Sequence, residues 1–153
     1  MIPCVQRSVF SQGSFLSDGT PAIITDGLSE WSGGGNWSPE LLSSKISDRT
    51  VKVCISPARR FDWRPTLDRS QAAAFSHEEM LFSEAVRRIV EGDDGGAAIY
   101  LMQQSIPEKF PELAECMVVP PWAADADVVR TNLWFERDST TPLHYDAENN
   151  LFA

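Results

Sequence analysis

In the segment TVKVCIS, residues 50–56, apolar and polar side chains alternate, so Val51, Val53 and Ile55 share one face. That period of two predicts a half-buried strand. Earlier in the chain, PAIITDGLSEW reads as a short buried strand over Ala22–Thr25, closed by an Asp26-Gly27 turn. SGGGNWSPELLSSKI supplies a flexible glycine turn and then a helix start, with Ser38 placed to cap, Pro39 at the first helical position and Glu40 at the positive end of the dipole. The clearest helical pattern is SHEEMLFSEAVRRIVEG, where Leu81, Phe82, Ala85, Val86, Ile89 and Val90 recur at helical spacing. Ser76 and Glu79 read as its capping box, which makes His77 the first residue of the helix; Arg87 and Arg88 fall in its last turn and Gly92 stops it. Residues 57–75 read as loop, 97–102 as a strand, 112–116 as a short helix, and the final stretch from Asp127 as strand, turn, strand, turn and the start of another strand. Mixed elements first and consecutive antiparallel strands last predict an α+β fold with a growing β sandwich or barrel.

Composition adds little to that picture except by exclusion. A chain of 153 residues, 42% hydrophobic and 23% charged, is about one domain of an ordinary globular protein. No apolar run suits a signal peptide or a bilayer span, so a cytoplasmic location without membrane attachment is the expectation. Cys4, Cys54 and Cys116 are widely spaced and lack a CxxC, which argues against a disulfide framework or a zinc knuckle; Cys54 fits a small buried hydrophobe. The net charge of −9 is uneven: residues 1–90 carry ten basic and ten acidic side chains, residues 91–153 three and twelve. That surface argues against nucleic acid. The one gathering of arginines, ARRFDWRPTLDR, reads as a solvated loop whose Arg59, Arg60, Arg64 and Arg69 find carboxylate partners within the chain.

The chemistry lies in TTPLHYDAENNLFA, residues 140–153. In an extended segment His144 and Asp146 project to one face, with Tyr145 opposite. One imidazole and one carboxylate side by side are two parts of a non-haem Fe(II) site that a second histidine would complete. H-x-D alone is a weak signal in so acidic a chain, and a surface strand pair remains the alternative. His77, the only other histidine, falls in the capping turn rather than beside the tail.

The longer block TNLWFERDSTTPLHYDAENNLFA, together with PAIITDGLSEW and NWSPELL about a hundred residues earlier, resembles the JmjC or cupin-like Fe(II)- and 2-oxoglutarate-dependent oxygenases, nearest the branch containing the asparaginyl hydroxylase that inhibits hypoxia-inducible factor. The likeness is strong over 132–153, moderate over 21–42 and 97–104, and thin over 57–75. It implies a single cupin-like domain, with α/β elements over 1–128 leading into the first strands of a double-stranded β-helix over 129–153. It also implies His144 and Asp146 as iron ligands, and Thr141 and Tyr100 as donors to the distal carboxylate of 2-oxoglutarate. Asn150 would be a polar residue near that co-substrate. A buried carboxylate needs several donors, and a hydroxyl and a phenol supply two without adding charge. Trp134 and Phe135 are expected in the barrel core.

The implied reaction consumes 2-oxoglutarate and O₂, yields succinate and CO₂, and hydroxylates a substrate C–H, with a protein or peptide side chain as the expected substrate and homodimerisation left open. In such proteins a basic residue and the second histidine follow the segment matched by NLFA, and Lys109 and His77 lie in the wrong segments to replace them. The expectation is therefore an N-terminal part of the domain, truncated within a strand and lacking catalysis by itself. The alternative is a non-catalytic cupin-like binding module presenting its sheet to a partner.

Overall fold

The computed structural model describes residues 1–13, 15, 17–28, 37–46, 49–61, 75–93, 95–114, 120, 127–141 and 144. The chain divides into two compact units, Met1–Trp37 with Glu115–Val129 and Tyr145–Ala153, and Ser38–Ala114 with Arg130–His144.

In the first unit, β1 (Cys4–Val5) and β2 (Ile23–Ile24) pair in parallel through Cys4↔Ile23 and Val5↔Ile24. The strand expected over 22–25 is present but not buried, since Ile23 is largely exposed. Its Asp26 carboxylate accepts the Arg7 backbone N–H at 2.6 Å, meeting the first free donor of α1 (Arg7–Gln12), whose own N-cap, Gln6, makes no side-chain cap.

The second unit carries the antiparallel sheet. Its elements are α2 (Pro39–Ile46), β3 (Thr50–Ser56), β4 (Ser76–Leu81), α3 (Phe82–Glu91), β5 (Ala98–Ser105), α4 (Ile106–Lys109), α5 (Pro111–Ala114) and β6 (Asn132–Glu136), and the strand order is β4-β3-β5-β6. The α+β class read from the pattern is what forms. α2 starts as its chemistry dictates: the Ser38 hydroxyl accepts the Leu41 N–H at 3.2 Å, and Glu40 sits in the first turn with its carboxyl held below the usual range by its own backbone and by Ser38. β3 is buried on one face at its start and on both faces from Val53 onward, because it runs between two other strands under two layers. Val51, Val53, Ile55, Ile99 and Leu101 form one face, against which Phe82, Ala85, Val86 and Ile89 of α3 are buried, while α2, with Leu42 and Ile46 buried, packs on α3. The opposite face holds a separate cluster of Cys54, Phe61, Ala98 and Tyr100. β5 carries a bulge between Leu101 and Gln104, where Gln103 takes a left-handed conformation with φ 49°. Among the described residues no helix is long and apolar enough to cross a membrane.

The helix expected from Ser76 begins six residues later. Ser76–Leu81 pairs with β3 at six successive positions, from Ile55↔Ser76 to Thr50↔Leu81, and Leu81 is the extended N-cap of α3. S-x-x-E chemistry suits a cap, but the segment SHEEML has no apolar face of its own to bury as a helix, and the unpaired edge of β3 offered its backbone a full ladder. Leu81, half exposed, therefore leaves the helical stripe, while Phe82, Ala85, Val86 and Ile89 keep it. The C-terminal end is as read: Gly92 stops α3 at φ 97°, and its N–H reaches the Arg88 carbonyl.

Truncating Leu101, fully buried between sheet and helices, to alanine lowers stability by about 2–5 kcal/mol in urea unfolding. Ser38→Ala costs about 1 kcal/mol, whereas Ser76→Ala changes stability by less than about 0.5 kcal/mol; a loss at Ser76 equal to that at Ser38 contradicts the strand assignment.

Candidate functional site

Tyr100 sits in the middle of the sheet. Its register partners are Cys54 on β3 and Glu136 on β6, and Cys54 is in turn opposite His77 on β4, so His77, Cys54, Tyr100 and Glu136 form one row across all four strands. Opposed residues in a ladder share a face, and this face lies away from α3. Phe61, fully buried, packs edge-on against the Tyr100 ring at 5.0 Å, and Trp134 lies 6.0 Å away on the other side. Tyr100 itself is only 4% exposed. Its phenol is pushed well above the usual tyrosine range, first by burial, then by the negative charges of Glu136 and Cys54; a hydrogen bond with the Thr141 side chain acts in the opposite direction. The phenol therefore stays protonated and can donate.

Thr141 comes from the segment after β6 and is brought to Tyr100 by backbone pairing. Thr140 and Arg60 form a parallel bridge, with the Thr140 N–H donated to the Arg59 carbonyl at 2.9 Å and the Phe61 N–H to the Thr140 carbonyl at 3.1 Å. The result is a phenol and a hydroxyl, distant in sequence, brought to the same edge of an apolar cluster. Both were expected to serve one carboxylate. Glu136, the register partner of Tyr100 on β6, accepts a hydrogen bond from the Ser139 hydroxyl.

His144 is exposed and follows three residues after Thr141. Asp146 and Asn150 lie outside the described residues, as does Tyr145. Among the described residues no three His, Cys, Asp or Glu side chains gather to hold a metal ion. The donor set still suits the implied co-substrate: two neutral O–H groups, one of them held protonated by burial, stand ready for an anionic oxygen without a second charge to be desolvated.

Three sequence-based expectations need correction or extension. His77 is not in a capping turn; it lies on β4, exposed, with Nδ1 3.4 Å from the Cys54 Sγ and its ring against Phe75. Trp134 is not core: it is 42% exposed, because β6 turns its even-numbered residues to the Tyr100 face, and the buried residue of that strand is Leu133. Cys54 is buried as expected, and burial raises its thiol, with Lys52 opposing. What sequence reasoning missed is that Cys54 and Glu136 flank Tyr100, with His77 one strand further along the row. The alternation in TVKVCIS places Cys54 opposite Val53, but no pattern gives the inter-strand register.

The pH dependence of stability follows from the raised phenol. In the unfolded chain a tyrosine loses its proton near pH 10, while folded Tyr100 keeps it, so the unfolded state binds fewer protons above that pH and stability falls as pH rises. Cys54, shifted the same way, adds to the fall from its own unfolded value upward. Tyr100→Phe, measured by urea unfolding between about pH 9 and 11 around the reference tyrosine value, gives a shallower decline than the native chain; an unchanged slope contradicts the buried, protonated phenol.

Residues 7–153 match the family described as the cupin-like domain. The chain is 29% identical over 149 residues to lysine-specific demethylase JMJ32 of Arabidopsis thaliana, a match covering 92% of this chain and 43% of that protein. It is 26% identical over 144 residues to lysine-specific demethylase 8 of Xenopus tropicalis, covering 91% and 30%. It is 25% identical over 150 residues to lysine-specific demethylase 8 of Danio rerio, covering 93% and 34%. The chain thus spans less than half the length of each of these relatives.

Proposed function

The chain belongs to the cupin-like domain family, as its resemblance to the JmjC or cupin-like oxygenases suggested, and from that premise we propose that it carries the co-substrate-binding part of an Fe(II)- and 2-oxoglutarate-dependent oxygenase acting on a protein side chain. The observation that carries this reading is the meeting of Tyr100 and Thr141 on the inner face of the sheet. The phenol and the hydroxyl each donate to the distal carboxylate of 2-oxoglutarate. Phe61 and Trp134 flank the phenol and exclude water from it, which strengthens both hydrogen bonds. A phenol carries its proton at neutral pH in any case, and burial moves it further in that direction, so Tyr100 offers a donor.

His144 and Asp146 are the protein ligands to iron contributed by this segment, one neutral nitrogen and one charged oxygen, and Asn150 lies near the co-substrate. Iron, when bound, supplies the O₂ activation and oxidative decarboxylation that no side chain here can perform. These two ligands are the part of the iron site that residues 1–153 supply, and the chain spans less than half the length of each relative it matches.

The substrate class is a C–H bond on a protein side chain. The relatives named lysine-specific demethylases support it: hydroxylation of an N-methyl carbon gives an adduct that collapses to amine and formaldehyde, so side-chain hydroxylation and lysine demethylation share one oxidative step.

The test is succinate release from 2-oxoglutarate by the full-length protein with Fe(II) and a peptide pool, followed by variants. His144→Ala and Asp146→Ala abolish release. Thr141→Val and Tyr100→Phe raise the KM for 2-oxoglutarate by about tenfold each, the loss of one hydrogen bond to a charged group, with a smaller change in kcat. Release unaffected by His144→Ala and Asp146→Ala overturns the metal assignment, and no release by the native protein leaves the binding-module reading.

A further inference from the structure

Two non-glycine residues near the site hold left-handed backbone conformations, Arg59 at φ 57° and Asp138 at φ 54°. Such residues carry strain that the surrounding structure must outweigh, and they gather where geometry matters. These two face each other. The Arg59 Nε donates to the Asp138 carbonyl at 3.0 Å, its Nη1 to the Gly96 carbonyl at 3.5 Å, and its Nη2 lies 3.6 Å from the Asp138 carboxylate. The turn that presents Arg59 is rigid. Ser56, fully buried, donates its hydroxyl to the Arg60 carbonyl at 2.7 Å and accepts the Arg60 N–H at 3.1 Å, while the Arg59 N–H reaches the Ser56 carbonyl at 3.0 Å.

We propose that Arg59 is a positioning residue: its guanidinium latches the segment after β6 to the sheet and so sets Thr141 against Tyr100. The inference rests on the oxygenase reading for its consequence, not for its geometry. One end of the latch is β3, through Ser56; a second is the turn entering β5, through Gly96; the third is Asp138, three residues before Thr141. β3 and β5 are the strands on which Cys54 and Tyr100 stand opposed, so residue 59 ties three backbone segments near the phenol together, to β3 through its main chain and to Gly96 and Asp138 through its side chain. The ion pair contributes little of this, since the Arg59 and Asp138 side chains are 44% and 68% exposed. The work falls to the guanidinium's hydrogen bonds to main-chain carbonyls, which a planar fork serves better than a single ammonium. Thr140 completes the latch by exchanging backbone hydrogen bonds with Arg59 and Phe61, and Phe61 is the residue packed on the Tyr100 ring.

Arg59→Gly separates latch from fold. Glycine suits a left-handed φ, so this variant keeps or raises the urea midpoint of the full-length protein. Two further readouts are the exchange of the Thr140 and Phe61 amides, and the affinity for 2-oxoglutarate measured calorimetrically with Mn(II) under nitrogen. In Arg59→Gly both amides exchange about tenfold faster and the Kd for 2-oxoglutarate rises about five- to tenfold; Arg59→Lys falls between it and the native protein. Native amide protection in Arg59→Gly overturns the latch. Faster exchange with native affinity overturns the positioning role and leaves Arg59 a loop contact. If the native protein fails to bind 2-oxoglutarate, the oxygenase reading fails instead, and the amides alone decide whether the latch exists.

Discussion

The buried Tyr100 phenol, with the Thr141 hydroxyl near enough to act on it, is the feature on which the rest of the structure depends. Neither residue could make it alone. Tyr100 is fixed by β5, which takes its place between β3 and β6 and is walled by Phe61 and Trp134; Thr141 is fixed by the bridge from Thr140 to Arg60. A buried phenol without a partner would cost free energy, and a threonine on an unanchored segment would have no reason to stay beside it. The two requirements are met by the same piece of backbone.

The two faces of the sheet divide the work. One is closed by α3, with α2 packed on it, through aliphatic and aromatic side chains, and that layer supplies cohesion. The other carries the row His77, Cys54, Tyr100 and Glu136, where polar groups alternate with a small apolar cluster. A sheet used this way must be buried on both sides at its centre, which is why β3 loses its alternation after Val53 and why Cys54, a small hydrophobe, stands where a larger side chain would crowd the phenol.

Much of this was legible in the sequence. The cap at Ser38, the alternation of β3, the stripe from Phe82 to Ile89 and the stop at Gly92 all follow from local chemistry, and the structure repeats them. β4 was not legible, because SHEEML has the composition of a helix start and becomes a strand only through six pairings with β3. Trp134 shows the same limit: its size suggests core, but β6 points it to the Tyr100 face. The pairing of Tyr100 with Thr141 is long-range and leaves no periodic trace, so family resemblance, not pattern, singled both out. Arg59 was read as a solvated loop residue with an intrachain carboxylate, which it is; its left-handed backbone and its reach to two main-chain carbonyls belong to the fold alone.

The most direct measurement is a nuclear magnetic resonance titration of 2-oxoglutarate, with a diamagnetic divalent ion, into full-length protein labelled on tyrosine rings and threonine methyl groups. The account predicts that the Tyr100 ring and the Thr141 methyl shift together along one binding curve and both show contacts to the co-substrate's distal methylene protons. Binding that leaves these two resonances in place, or moves only one of them, would contradict it.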